Sequence, residues 1–94
     1  MSFHGTVGRW GTTQTTTYTT AAGTVASSVS AGVTRVRLLV TTDAFVKVGK
    51  SPTATTSDVY LPALSAEYVI VNPGESVSAV QVSSGGSVYV TECL

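Results

Sequence analysis

The sequence predicts an all-β domain, a small antiparallel β-sandwich or jelly roll with an extended, threonine-rich N-terminal arm. Valine and threonine dominate its 94 residues, and β-branched side chains favour extended backbone. No segment has the helical spacing of large apolar residues. Short alternating segments instead recur every ~8–12 residues with turn residues between them, which is typical of sandwiches, jelly rolls and small barrels.

The first two strands of the sandwich are expected on either side of Thr42 and Asp43. Apolar and polar residues alternate in the segment TRVRLLVT, which predicts one inner and one outer face. Its inner face carries Thr34, Val36, Leu38 and Val40, and its outer face carries Arg35, Arg37 and Leu39. AFVKVG alternates in the same way. Because only two residues separate the segments, we expect them to form a hairpin.

The later strands are separated by proline and glycine. A short strand is expected at 59–61, followed by the segments EYVIVN, SVSAVQV and SVYVTE. Asn72-Pro73-Gly74 predicts a type II turn, in which Gly74 has a positive φ. The three prolines of the chain, at 52, 62 and 73, are expected to stiffen connections and to protect sheet edges from unwanted pairing.

Residues 1–32 differ from the rest. Eight threonines lie between Thr12 and Thr24, with few large side chains to bury. We therefore divide the chain into an arm with an edge strand (1–32) and a sandwich domain (33–94). The arm is expected to add a strand to a partner by β-augmentation, so residues 1–20 should be removable without unfolding the domain. A flexible tail and an ordinary internal strand are the alternatives. The expected interface residues are Trp10, Thr15, Thr17, Tyr18, Tyr60 and Tyr68.

Composition limits the possible partners and cofactors. Five basic and five acidic residues cancel, which argues against nucleic-acid binding through phosphates, and the longest apolar run is too short to span a bilayer. Cys93 is the single cysteine, interpreted as a residue at the end of a strand, and His4 alone cannot form a metal cluster. No cofactor is expected. Only 11% of residues are charged, against a typical ~25%, which indicates a surface covered by neighbours.

No arrangement of residues predicts catalysis. Asp58, Glu67 and Glu75 are separated by turns and strands, so we interpret them as solvated charges rather than an acid–base pair. No serine lies in a G-x-S-x-G motif, and the GTVG segment at 5–8 lacks the ending of a phosphate loop. We expect the protein not to be an enzyme. One asparagine and two glutamines also argue against a sugar-binding platform, and the tyrosines outside the arm are expected to pack rather than to catalyse.

The region 33–92 resembles small structural proteins of tailed bacteriophage virions. The resemblance is carried by VRLLVTTDAFVKVG, by SPTATTSDVYLPA and by the ending EYVIVNPGESVSAVQVSSGGSVYVTE; the threonine-rich arm lies outside it. It implies a non-enzymatic virion protein assembled in the host cytoplasm.

Within a virion, small size, low charge and an arm favour a capsid decoration or cement protein. Such a protein would be a homotrimer that binds the major capsid protein at subunit seams, without nucleic-acid or membrane partners. A receptor- or glycan-binding module of a tail fibre or spike, and a head–tail connector or tail ring component, are the alternatives.

Overall fold

The computed structural model describes residues 9–26 and 29–93, so His4 and the glycine-containing segment 5–8 lie outside the described residues. Within the described residues, eight strands form two four-stranded antiparallel sheets. The strands are β1 (Trp10–Tyr18), β2 (Gly23–Thr24), β3 (Arg35–Val40), β4 (Ala44–Gly49), β5 (Val59–Leu61), β6 (Glu67–Ile70), β7 (Ser76–Gln81) and β8 (Gly86–Cys93).

The chain is paired like one long hairpin that is bent between β4 and β5 and then rolled up. β4 pairs with β5, β3 with β6, β2 with β7 and β1 with β8. Pairing of β3 with β8 and of β4 with β7 completes sheet A, in the order β1-β8-β3-β6, and sheet B, in the order β2-β7-β4-β5. This is the strand order of a jelly roll, an eight-stranded double sheet. The predicted fold class is confirmed.

The predicted strands and the predicted turn agree with the structure. β4 and β5 have the expected bounds, and the other strands of the sandwich region differ from the expected ones by one or two residues. Gly74 has a φ of 83°, and the Glu75 N–H donates to the Asn72 carbonyl over 3.1 Å. The positive φ that the Asn72-Pro73-Gly74 sequence predicts is therefore confirmed.

The predicted hairpin between β3 and β4 is wrong, because the two strands lie in opposite sheets. Each strand has one apolar face, and these faces pack against each other across the core, which contains Leu38 and Val46. Thr42 and Asp43 form the corner between the sheets. The Tyr18 hydroxyl donates to the Thr42 carbonyl over 2.7 Å and holds this corner.

Residues 10–25 lie within the sandwich. β1 pairs with β8 from Trp10 to Tyr18, with a bulge near its start, and β2 pairs with β7. Tyr18 is 2% exposed and belongs to the core. A Cβ at Gly23 would collide with the Thr17 carbonyl oxygen, so only glycine lets the chain pass this close as it crosses between the sheets. The sequence-based expectation that this segment has little to bury missed the role of Tyr18.

The loop that precedes β5 covers the outer face of sheet B. The Ala54 N–H donates to Ser78 Oγ over 2.9 Å, and the Thr24 hydroxyl donates to the Pro52 carbonyl over 3.0 Å. Pro52 and Ala54 are buried by this contact. Because the loop lies on one side of β7 and the core on the other, five of the six residues of β7 are buried.

Candidate interaction surfaces

Two of the three carboxylates considered above stabilise turns. Asp58 Oδ2 accepts a hydrogen bond from the Thr55 N–H over 2.7 Å. Glu75 Oε1 accepts one from the Asn72 N–H over 2.7 Å, within the turn that joins β6 to β7. Glu67 is exposed on β6. Asp58 and Glu75 thus act as acceptors for the backbone of turns, in accord with the preference of such groups for local N–H donors.

A concave surface lies between β5 and β6, and we call it the β5–β6 groove. These strands are the edges of the two sheets on one side of the sandwich. The groove between them has a volume of about 710 Å³. Its polar lining includes Lys47, Asp58 and Glu67, which the strand order brings together. Its apolar lining includes Leu38, Val46, Val48, Val59, Leu61 and Ile70.

The groove exposes part of the interior of the sandwich. Val59 pairs with Val46, and paired residues point to the same face of a sheet. Val46 is in the core, so Val59 also points toward the space between the sheets, yet it is 73% exposed. Glu67 lies opposite the buried Leu38 and is exposed as well. On this side the two sheets are therefore not covered.

The segment 59–70 is also unusually apolar at its surface. It contributes five of the eight exposed large hydrophobic residues in the part of the chain that the structure describes. Contiguous exposed apolar patches of more than a few hundred Å² mark interaction sites in soluble proteins. The five residues are Val59, Tyr60, Leu64, Tyr68 and Ile70.

Hydrogen bonds to Asp43 hold the corner between β5 and β6. Asp43 Oδ1 accepts a hydrogen bond from the Ala63 N–H over 2.8 Å, and Oδ2 accepts one from the Tyr60 hydroxyl over 2.9 Å. The Ala63 N–H, and then the Tyr60 hydroxyl, lower the pKa of Asp43, and the bond to Asp43 raises the pKa of Tyr60. The Tyr60 ring also contacts Phe45 edge-on. Contacts with Asp43 and Phe45, at the start of β4, therefore fix the position of this corner.

A second surface is the outer face of sheet A, where aromatic rings and an arginine meet. Arg37 lies over the Trp10 ring, with 5.9 Å between its guanidinium carbon and the ring centroid. Tyr68 pairs with Arg37 on the neighbouring strand, and Tyr89 lies on the same face. Trp10 is 65% exposed. Tryptophan, tyrosine and arginine are the residue types enriched at binding hot spots. Cys93 pairs with Trp10 and Arg35 at the end of β8 and is buried.

The third surface is the outer edge of β1, which pairs with no other strand among the described residues. Its nine residues, WGTTQTTTY, include neither a charged residue nor a proline. The side chains of Thr15 and Thr17 are exposed. Natural sheets usually protect such an edge with lysine or proline, and β1 has only the bulge near Trp10.

The structure distributes the predicted interface residues over several places. Trp10, Thr15, Thr17 and Tyr68 lie on the outer face of sheet A, and Tyr60 lies beside the β5–β6 groove. Tyr18 is in the core and so is not available to a partner. The sequence-based reasoning missed Val59, Leu64 and Ile70. Their apolar character is visible in the sequence, but their exposure depends on the order of the strands.

Comparisons of the chain with protein-family models, with curated proteins and with solved structures found no significant match. The described residues contain no helix that is long and apolar enough to cross a membrane.

Proposed function

We propose that the protein is a non-enzymatic structural component of a bacteriophage virion, a capsid decoration protein that stabilises the shell by binding across subunit seams. The resemblance of residues 33–92 to small virion proteins supports this proposal. The jelly-roll order of the strands supports it by analogy, since viral capsid and lectin domains share this architecture. Many functions occur on one fold, so the surface of the molecule has to distinguish among them.

The edge of β1, which pairs with no further strand among residues 9–26 and 29–93, is the observation that carries the proposal. An extended segment of a capsid protein can pair with this edge by β-augmentation, in which backbone hydrogen bonds supply affinity. The exposed side chains of Thr15 and Thr17 would lie beside those of the added segment on the outer face of sheet A, without introducing charge. A weak contact of this kind becomes stable when it is repeated on a symmetric shell. The partners are then the major capsid protein and further copies of this chain, as a homotrimer.

Quantitative mass spectrometry of purified virions tests the proposal. A decoration protein should be present in a fixed, high ratio to the major capsid protein. A few copies per particle would contradict decoration and would favour a fibre or a ring component. Absence from purified virions would contradict the whole proposal.

The role of the β1 edge is tested by a Thr15→Lys substitution. Lysine on an edge strand opposes pairing with a further strand, so we expect co-sedimentation with capsids that lack this protein to fall by about tenfold or more, which corresponds to ~1.4 kcal/mol. The matched control is Thr56→Lys, which adds the same charge at an exposed threonine of the loop before β5. Equal binding by the two variants would exclude β1 as the docking edge.

Glycan binding by a tail-fibre or spike module is a second candidate, favoured by the aromatic face of sheet A. Trp10, Tyr68 and Tyr89 are exposed on this face beside Arg37, and flat aromatic surfaces can stack on apolar faces of ligands. Trp10 is the only tryptophan of the chain, so its fluorescence reports directly on this face. A saturable change on titration with host surface polysaccharide would support this candidate, and no change would exclude it.

A further inference from the structure

We propose that the β5–β6 groove is the contact between copies of this chain, and that a second copy occupies it. This inference goes beyond the proposed function, because it concerns how copies bind one another, whatever larger surface they cover. Val59 points toward the space between the sheets and is 73% exposed. Ile70 pairs with Arg35 on the outer face of sheet A, lines the groove at the end of β6 and is 78% exposed. A partner seated in the groove would cover both side chains.

The exposed apolar residues that line the groove supply about half of what a standard interface buries on each partner. An aromatic side chain has roughly 150–250 Å² to bury, and on that scale the exposed fractions of Val59, Tyr60 and Ile70 amount to on the order of 400 Å². A standard interface buries about 800 Å² on each partner. Parts of the groove walls would supply the difference. A domain of this size also commonly needs an oligomer interface, because its own core is small.

The charges at the groove are self-complementary. Lys47 lies on β4, on the side of sheet B, whereas Glu67 lies on β6, on the side of sheet A. A charged residue that points inward on an edge strand opposes pairing with most other strands. A second copy supplies the missing counter-charge, because its Lys47 can face the Glu67 of the first copy. An interface between like copies repeats each such contact, and complementary charges favour the correct partner.

The experiment is light scattering on the purified full chain over a range of concentrations, for the wild type and three variants. Ile70→Lys and Val59→Lys place a charge in the groove at positions that are mostly exposed, so both should fold. Val82→Lys is the matched control: Val82 is also an exposed valine, but it follows β7 and does not line the groove. Thermal unfolding of each variant, measured at a dilution at which the wild type is monomeric, checks the fold.

We expect the wild type to have two or three times the chain mass of 9.6 kDa. Ile70→Lys and Val59→Lys should weaken association by about tenfold or more, and Val82→Lys should leave it unchanged. A wild type that stays monomeric at every concentration would overturn the inference, as would groove variants that associate like the wild type. These outcomes are independent of capsid binding: a monomer that binds capsids overturns only this inference, and an oligomer absent from virions overturns only the proposed function.

Discussion

Two adjacent leucines in β3 have opposite environments. Leu38 is 3% exposed and lies opposite Val90 in the core, whereas Leu39 is half-buried on the outer face, opposite Tyr89. Composition cannot distinguish the two residues. Only the two-residue period of the strand does so, because a shift of one residue would exchange the two faces. The alternation of TRVRLLVT was therefore sufficient to assign each leucine to its face.

This assignment predicts unequal effects for the same substitution. Leu38→Asp places a carboxylate in the core without a partner, which costs several kcal/mol, a large part of the ~5–15 kcal/mol that stabilises a typical domain. We expect this variant to be unfolded by circular dichroism. Leu39→Asp, the matched control, should keep the β-sheet spectrum and lose much less of its free energy of unfolding. Equal effects of the two substitutions would contradict the faces assigned to β3.

At the scale of whole elements, the corner between β5 and β6 depends on the ionisation of two side chains. Asp43 binds the Ala63 N–H and the Tyr60 hydroxyl, so its pKa is lowered and that of Tyr60 is raised. A lowered carboxyl pKa contributes stability that is present above the ordinary value, about 4, and is lost as the pH falls through the lowered value. A raised tyrosine pKa contributes stability that is present below about pH 10 and is lost as the pH rises through the raised value.

A comparison of the wild type with Tyr60→Phe therefore has a predicted pH profile. The wild type should have the higher midpoint of thermal unfolding between about pH 5 and 9, because both ionisations that favour the bond are in place there. The difference should shrink below about pH 4 and above about pH 10. Tyr89→Phe, which removes the same hydroxyl from an outward-facing strand position, is the control and should show no such profile. Parallel curves for the wild type and Tyr60→Phe across this range would contradict the role given to the bond.

The elements themselves, but not their partners, can be predicted from the sequence. The strands and their inner faces follow from local alternation, and the turn at Gly74 follows from its proline–glycine step. The two-residue gap at Thr42 fits a hairpin as well as it fits a corner between sheets. What decides between them is how β3 and β4 pair with other strands. Most of these partners are distant in the sequence: β3 lies between β8 and β6, and β4 lies between β7 and β5. Alternation contains no information on that choice.

The same limit explains why the groove was not predicted. By its pattern alone Val59 is an inward-facing residue like Val46, and it would be assigned to the core. Its exposure arises because β5 and β6 are both edge strands, one in each sheet, and neither covers the other. Edge position depends on the pairing of all eight strands. Tyr18 is the converse case, a residue expected on an unburied strand that lies in the core. Its threonine-rich neighbours gave no sign of burial, and its hydrogen-bond partner, the Thr42 carbonyl, is distant in the sequence.

At the scale of the whole molecule, the sandwich has two lateral sides, one between the edge strands β1 and β2 and the other between β5 and β6. The chain closes these two sides to different extents. On one side the chain crosses from β1 to β2, with Tyr18 in the core and Gly23 against the Thr17 carbonyl. On the other side the corner at 62–66 joins β5 to β6, and the groove beside it stays open. The β1 edge and the β5–β6 groove therefore lie at opposite edges of sheet A. If both proposals hold, one molecule would bind a capsid segment at the first edge and another copy at the second.

This arrangement also changes the prediction for N-terminal truncation. Removal of residues 1–20 would delete β1 and Tyr18, which exposes the edge of β8 and opens a large cavity in the core. Loss of a large buried aromatic side chain alone costs about 3–5 kcal/mol, so this truncation should unfold the domain rather than leave it intact. Removal of residues 1–8 keeps every strand of the residues that the structure describes, so we expect this shorter truncation to stay folded.

Urea unfolding of the two truncations and of Tyr18→Ala in the full chain separates two contributions to stability. One is the pairing of β1 with β8, and the other is the burial of the Tyr18 side chain. Tyr18→Ala should lower the midpoint strongly, because it also removes the hydrogen bond to the Thr42 carbonyl at the corner between the sheets. The 1–20 truncation should be less stable still, since it loses the backbone pairing of β1 with β8 in addition. If that truncation instead unfolds at the wild-type midpoint, β1 contributes nothing to the sandwich, and residues 1–20 form the detachable arm that the composition of the segment first suggested.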